Sequence, residues 1–137
     1  MRIWDIPPQY LCRNHLLGEH RELHGLWNIL VHNKIGYSRH PETKRWVCKL
    51  RALYLRHEFL VSAMIFRQYN HNSELDKRLI PPDDLILMNP VLIHSPEEQI
   101  EILTNKKCDC NIQGMTHWLN DMRKYEKIVQ FSLTGTK

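Results

Sequence analysis

The sequence predicts an all-α protein, a compact single-domain bundle of about three to five helices with an extended N-terminal arm. Apolar residues recur with the roughly 3.6-residue period of an α-helix in several segments, and no convincing alternating strand pattern is present. Prolines suited to the first turn of a helix stand before two of these segments. The 137 residues, 42% of them apolar, suffice for one core, which excludes a disordered chain.

The N-terminal arm and the first helix occupy the first quarter of the chain. Pro7-Pro8 ends an extended arm of about six residues, because a residue that precedes a proline avoids the helical region. From Gln9 to about Asn33 the sequence predicts a helix. The apolar face of this helix carries Leu16, Leu23, Trp27 and Leu30.

A second long helix is predicted to begin at Pro41 and to run towards Tyr69, with an allowance for one break. Its apolar residues form two stripes, one of which passes through His57. A helix that is apolar on two faces is typical of the centre of a small bundle. The second stripe consists of Ala52, Leu55, Phe59, Ala63 and Phe66.

The second half of the chain predicts a loop and two shorter helices. Residues 76–94 are rich in proline and turn signals, so we expect a loop with room for one helical turn. Ser95-Pro96-Glu97-Glu98 is typical of a capped helix start, and that helix is predicted to end near Asn105. A last helix is predicted from Thr116 to about Val129, followed by a frayed polar tail.

Composition and charge restrict the class of protein. Lysine and arginine total 19 against 15 aspartates and glutamates, and the net charge of +4 allows a polyanionic partner. No segment approaches the run of about 18 apolar residues that a membrane span needs, and the first ten residues do not resemble a secretory signal. Four cysteines are too few for a disulfide scaffold, so we expect reduced thiols in a cytoplasmic compartment.

The histidines and cysteines resemble incomplete metal sites. His20 and His24 are four residues apart on the first helix, a spacing that can bind a metal, but no third ligand is evident. Cys108 and Cys110 lack a second pair, and the other two cysteines are isolated. Solvated or phosphate-facing histidines are the commoner case, so we expect no metal site.

A carboxylate and two glycines lie together at one edge of the first helix. Glu22 lies about 100° from the centre of the apolar face, and Gly18 and Gly25 lie about 40–60° further round on the same side. Each glycine costs roughly 1 kcal/mol relative to alanine inside a helix. Either a neighbouring helix packs against the glycines, or a ligand approaches the helix beside the carboxylate.

Short segments between residue 1 and about residue 110 have the order and spacing of one enzyme family. They are Met1-Arg2-Ile3-Trp4, His15-Leu16, Arg21-Glu22-Leu23, Gly36-Tyr37, His40-Pro41, Arg56-His57 and Ser95-Pro96-Glu97-Glu98-Gln99. On these segments the chain resembles the pyrimidine-dimer DNA glycosylase/AP lyases, of the phage dimer-specific endonuclease V type. The resemblance implies that residues 1–137 form a single helical glycosylase/AP lyase domain.

The resemblance also implies the residues that act. The family's nucleophile is the α-amine of the mature first residue, which places Met1 in that role, and Glu22 corresponds to its catalytic carboxylate. Gly25 departs from the phage enzyme, which has an arginine at this position. The implied DNA contacts are Arg2, His15, Arg21, Arg39, His40 and Arg56.

An N-terminal amine suits such chemistry. The pKa of a free α-amine is about 7.7–8.0, against about 10.4 for lysine, so a far larger share of it is uncharged near neutral pH. The amine attacks the sugar C1′ and displaces the base, and β-elimination follows from the iminium. The implied partner is double-stranded DNA with a damaged or abasic site, and no cofactor is required.

Two other functions remain open on the sequence alone. The chain could be a catalytically silent helical DNA-binding module, or a nuclease that uses a metal bound by histidine and cysteine. For the glycosylase/AP lyase that the resemblance implies, we expect a monomer in the cytoplasm that associates with the nucleoid of a bacterial or phage-infected cell through DNA.

Overall fold

The computed structural model describes residues 2–33, 39–84 and 92–134, and the side chains as far as residue 127. Regular structure in these ranges is all helical, which confirms the predicted class. None of the described helices is long and apolar enough to cross a membrane. The helices are α1 (Arg13–Val31), α2 (Pro41–Lys44), α3 (Leu50–Phe66), α4 (Pro96–Asn105) and α5 (Ile112–Thr134), with 3-10 turns at Pro8–Tyr10 and Lys77–Leu79.

Local sequence signals set several helix ends. α1 and α3 stop before Asn33 and Gln68, whose φ angles of 51° and 63° lie in the left-handed region that terminates a helix. α4 begins with the predicted capping box, in which Ser95 and Glu98 bond reciprocally to each other's backbone N–H. It ends at Asn105, as predicted.

The N-terminal arm lies inside the core. Ile3 and Ile6 are buried, and an extended segment cannot satisfy its own backbone N–H groups. Acceptors from α1, α2 and α4 receive these N–H groups instead, so the arm holds three helices together. The bonds run from Ile3 N to Glu42 Oε1 (3.1 Å), from Trp4 N to Glu19 Oε1 (3.2 Å) and from Asp5 N to Gln99 Oε1 (2.8 Å).

Two helix pairs surround the arm. α1 packs chiefly against α3, with Leu23 and Leu53 fully buried between them, and α4 packs against α5. The 3-10 turn after the arm contacts α5 at Gly114, where a Cβ atom would lie 2.7 Å from the Tyr10 ring. The glycine therefore permits a close approach of α5 to the arm.

A buried ion pair joins α1, α3 and the arm. The Glu19 carboxylate, with a fully buried side chain, accepts bonds from Arg56 Nε (2.6 Å) and Nη2 (2.9 Å). Arg56 Nη1 donates to Ile6 O at 2.9 Å, and Glu19 also accepts the Trp4 N–H. Burial raises the pKa of Glu19, and the positive charge of Arg56 opposes that rise.

The second predicted helix is interrupted. α2 covers one turn, and the chain then passes through Cys48 at a φ of 62° before α3 begins. Asp84 caps this new start from a distant part of the chain, accepting from Leu50 N (2.8 Å) and Arg51 N (3.0 Å). The cap satisfies two N–H groups that a helix start leaves unpaired.

α3 buries only one of its two predicted stripes. Most of its stripe through His57 is buried, with Ile65 exposed at the end of the helix, whereas in the second stripe Leu55, Phe59 and Phe66 are 51%, 61% and 89% exposed. The prediction that α3 lies at the centre of the bundle is therefore wrong. Ala52 and Ala63 of the second stripe are half-buried against the core, so the exposed part of that stripe consists of its three larger side chains.

The last helix is longer than predicted at both ends. α5 begins about one turn before Thr116, where Asn111 Oδ1 accepts the Gly114 N–H at 2.9 Å. It continues to Thr134, so the prediction of a frayed tail after Val129 is wrong. The sequence there holds no glycine or proline before Gly135 to stop the helix.

We expect Arg56→Met to lower the free energy of unfolding by about 3–5 kcal/mol, because it leaves the Glu19 carboxylate buried without its countercharge. Arg78→Met is the matched control, since Arg78 pairs with Asp76 on the surface and its loss is expected to change nothing measurable. Denaturant titration of both variants measures the difference. A loss below about 1 kcal/mol for Arg56→Met would show that the pair does not anchor the arm.

Candidate active site

The glycine-bearing edge of α1 is open. Arg21 and Glu22 are exposed, and a Cβ atom built on Gly18 or Gly25 meets nothing within 4 Å. Packing of a neighbouring helix against these glycines, one of the two explanations of the sequence, is thus absent from the described part of the chain. The edge presents a carboxylate and a guanidinium with clear space beside them on the helix.

The arm is bonded to α1 one helical turn before this edge. Met1, the predicted nucleophile, lies outside the described residues. The Trp4 N–H is fixed to Glu19, one turn of α1 before Glu22. Three residues span at most about 10 Å, and one helical turn rises about 5.4 Å. A short tether therefore joins the first residue to the turn of α1 that precedes Glu22.

A row of basic and aromatic side chains runs along the arm. The Arg2 guanidinium lies 4.9 Å from the centre of the Trp4 ring, and Arg2 Nη1 lies 3.2 Å from His94 Nδ1. The His15 ring also meets Trp4, in an edge-on contact with 5.9 Å between ring centres. The structure thus brings two predicted DNA contacts, Arg2 and His15, to one tryptophan, and adds His94, which the sequence analysis missed.

The remaining predicted contacts have different surroundings. Arg39 is exposed, and His40 caps α2 by accepting the Glu42 N–H on Nδ1 at 3.1 Å. The nitrogens of Arg56 bond to Glu19 and to the arm, as described above. Arg56 is therefore placed to position the arm, while α2, which follows Arg39, packs against α1.

Four histidines meet about 160° around α1 from Glu22. His20 and His24 come from α1, His57 from α3 and His71 from the extended segment after it. Burial and the three neighbouring histidines lower the pKa of His20 to about 4. Burial and His57 also lower the pKa of His24, so the rings of His20 and His24 are neutral near pH 7.

A second cluster lies at the start of α1. Cys12 and His15 meet Cys108 and Cys110 from the segment between α4 and α5, and the four ligand atoms lie within 4.8 Å of one another. His15 Nδ1 is 3.2 Å from both Cys12 Sγ and Cys110 Sγ. Burial raises the pKa of Cys110 to about 12, whereas bonds from neighbouring backbone groups lower that of Cys12 against the effect of its burial.

The sequence analysis found half of each cluster. The helical spacing identified His20 with His24, and proximity along the chain identified Cys108 with Cys110. Their partners are separated from them by between 33 and 98 residues along the chain, as in His24–His57 and Cys12–Cys110. No local pattern carries that information.

The first half of the chain matches a known protein family. The model of the pyrimidine dimer DNA glycosylase family matches residues 1–77, more than half of the chain. The chain belongs to this family. The matched part includes the arm, α1, α2 and α3, and thus the open edge with Glu22 and the whole four-histidine cluster. No curated protein and no solved structure matches the chain.

Membership makes the chain a DNA glycosylase of DNA repair with DNA as its substrate. The sequence resemblance to the family is thereby confirmed. A glycosylase must reach a base that has left the helical stack, so its reacting groups need an open surface. The edge of α1 that carries Glu22 is such a surface.

We expect Gly18→Ala and Gly25→Ala each to raise the free energy of unfolding by about 0.5–1 kcal/mol, because the added methyl meets free space and alanine favours the helix. The same variants should bind damaged duplex DNA about tenfold more weakly, since the methyl intrudes where DNA approaches. Gly114→Ala is the matched control: its methyl collides with Tyr10, so it should be destabilising. Unchanged DNA affinity in the α1 variants would remove this edge from the DNA-contacting surface.

Proposed function

We propose that this glycosylase is bifunctional and also acts as an AP lyase on pyrimidine dimers or a related base lesion in double-stranded DNA. The α-amine of Met1 is the nucleophile, and Glu22 is the acid/base. The observation that carries the proposal is the open edge of α1, where Glu22 is exposed between two glycines with clear space. The tether from Trp4 to Glu19 supports a short reach from the amine to this edge.

The proposed reaction has two bond exchanges. The neutral amine forms a bond to the sugar C1′ while the bond between C1′ and the base breaks, and the base leaves with a proton. The C1′–O4′ bond then breaks as O4′ takes up a proton, which opens the sugar ring and gives an iminium that acidifies the C2′ hydrogen. Loss of that proton breaks the C3′–O bond and cuts the strand, and water then hydrolyses the Schiff base to release the enzyme.

Glu22 takes part both in the displacement of the base and in the elimination. Its carboxylate stabilises the positive charge that develops on the sugar, and it accepts and returns protons during the elimination. The groups that hold the phosphates are Arg2 and Arg21, with His15, Arg39 and His40 as further contacts. Arg56 contributes by holding the arm through Glu19 and Ile6.

Lesion recognition follows from the energy of opening the duplex. A dimer or an abasic site pairs and stacks poorly, so the damaged nucleotide or its partner leaves the helix at lower cost than an intact pair. This lower cost of opening contributes to the preference for damaged DNA.

We expect borohydride to trap a covalent complex between the protein and abasic DNA, with the adduct on the Met1 amine. An extension of one residue at the N-terminus should slow trapping strongly, since it moves the amine by about 3.5 Å. Mass spectrometry of a proteolytic digest locates the adduct. An adduct on an internal lysine would contradict the assignment of the nucleophile.

We expect Glu22→Gln to lower the rate of single-turnover incision by about 10²-fold or more while DNA affinity holds, because the amide keeps the shape and loses the charge and the proton. Arg21→Ala should instead weaken binding and reduce the slope of log affinity against log salt by about one unit.

Glu101→Gln, at an exposed position of α4, is the matched control for the removal of one charge. Incision at the wild-type rate by Glu22→Gln would show that the carboxylate takes no part in the reaction. It would favour the alternative in which the family fold is kept as a DNA-binding module without catalysis.

A further inference from the structure

The four histidines form an arrangement that their protons alone cannot satisfy. Three nitrogens, the Nε2 atoms of His20, His24 and His57, lie at the corners of a triangle with sides of 3.2–3.3 Å. The fourth ring, His71, offers a ligand atom within 4.8 Å of the others, and its buried Nε2 has no hydrogen-bond partner among the residues that the structure describes. A buried nitrogen that lacks a partner is costly, so such an atom needs an explanation.

The proton positions are constrained at His57. Its Nδ1 lies 3.0 Å from a carboxylate oxygen of Glu58, so in the neutral ring Nδ1 carries the proton and Nε2 presents a lone pair. That lone pair also lies 3.2 Å from the Ser73 carbonyl oxygen, which has no proton to give. Each of the three Nε2 atoms carries either a proton or a lone pair, so at least two of the three are alike. Because all three are in mutual contact, at least one contact therefore joins two lone pairs or two protons.

We infer that His20, His24, His57 and His71 bind a divalent transition metal ion of the zinc class. Zinc–nitrogen bonds of about 2.0–2.1 Å place tetrahedral ligand nitrogens about 3.3–3.4 Å apart, which agrees with the triangle of Nε2 atoms. The bond from His57 to Glu58 is the usual means of orienting a metal-binding imidazole and of raising its basicity. This inference does not rest on the proposed lyase chemistry.

The coordination set indicates what the ion does. Four protein ligands close a tetrahedral site and leave no position for water or a phosphate, which is the pattern of structural ions. The cluster lies about 160° around α1 from Glu22, away from the open edge. The ion therefore fastens α1 to α3 and to the segment of His71, and the nuclease alternative gains no support from it.

The geometry points to a second zinc site at Cys12, His15, Cys108 and Cys110, on independent grounds. Three thiols and one imidazole are a common ligand set for structural zinc. The distances of 3.2 Å from His15 Nδ1 to two of the sulfurs are close to the distance between neighbouring ligands in such a tetrahedron. This site joins the start of α1 to the start of α5. Ligation through Nδ1 leaves the other nitrogen of His15 for a DNA phosphate.

The test is the metal content of the folded protein, prepared under reducing conditions and measured by elemental analysis. We expect about two zinc ions per chain. His71→Asn and His24→Gln should each remove one ion, and Cys108→Ser and Cys110→Ser the other. The matched controls are His117→Gln and Cys48→Ser, both at exposed positions, which should keep both ions.

Cobalt substitution separates the two sites by their ligands. The cysteine site should give thiolate-to-cobalt charge-transfer absorption that Cys110→Ser abolishes and His71→Asn leaves intact. Zinc-free wild-type protein that neither takes up zinc on refolding nor changes its melting temperature would overturn both sites. Retention of both ions in His71→Asn and His24→Gln would overturn the histidine site alone, whatever the outcome for incision.

Discussion

The buried bond between Glu19 and Arg56 is the interaction on which the architecture depends. A charged pair in the interior is tolerated only where further hydrogen bonds complete it, and here the arm supplies them through Trp4 and Ile6. The pair thereby converts an extended segment without internal hydrogen bonds into part of the core. It also fixes Trp4 and Ile6 of the arm relative to α1, which carries the proposed catalytic carboxylate.

Different faces of α1 have different tasks. One buries leucines against α3, an adjacent face carries Glu19 for the arm, and a third contributes two histidines to the four-histidine cluster. The remaining edge, with its two glycines, is left open. The glycines reduce the stability of the helix by roughly 1 kcal/mol each without any compensating contact in the described chain. Such a loss is consistent with a surface that is shaped for a partner.

The histidine and cysteine clusters bear on how a chain of this size keeps the proposed active edge of α1 exposed. With ions bound, the cysteine cluster holds the start of α1 and the four-histidine cluster holds the face opposite Glu22. The edge that carries Glu22 then needs no neighbouring element to hold it in place. α3 likewise leaves apolar side chains around Phe59 exposed. Burial against neighbouring elements therefore holds neither α1 nor α3 on every face. Rigid positioning of catalytic groups benefits from supports of this kind.

The sequence by itself determined the helical class, the capped start at Ser95 and the family, because periodicity, caps and motif order are local signals. The sequence also singled out Glu22 with its two glycines, but it did not decide whether a helix or a ligand approaches them. Only the tertiary structure decided that this edge is open, that one stripe of α3 is bare and that Asp84 restarts the helix. The same holds for the clusters: contacts such as Cys12 with Cys110 join residues far apart in the chain, and only folding makes them neighbours.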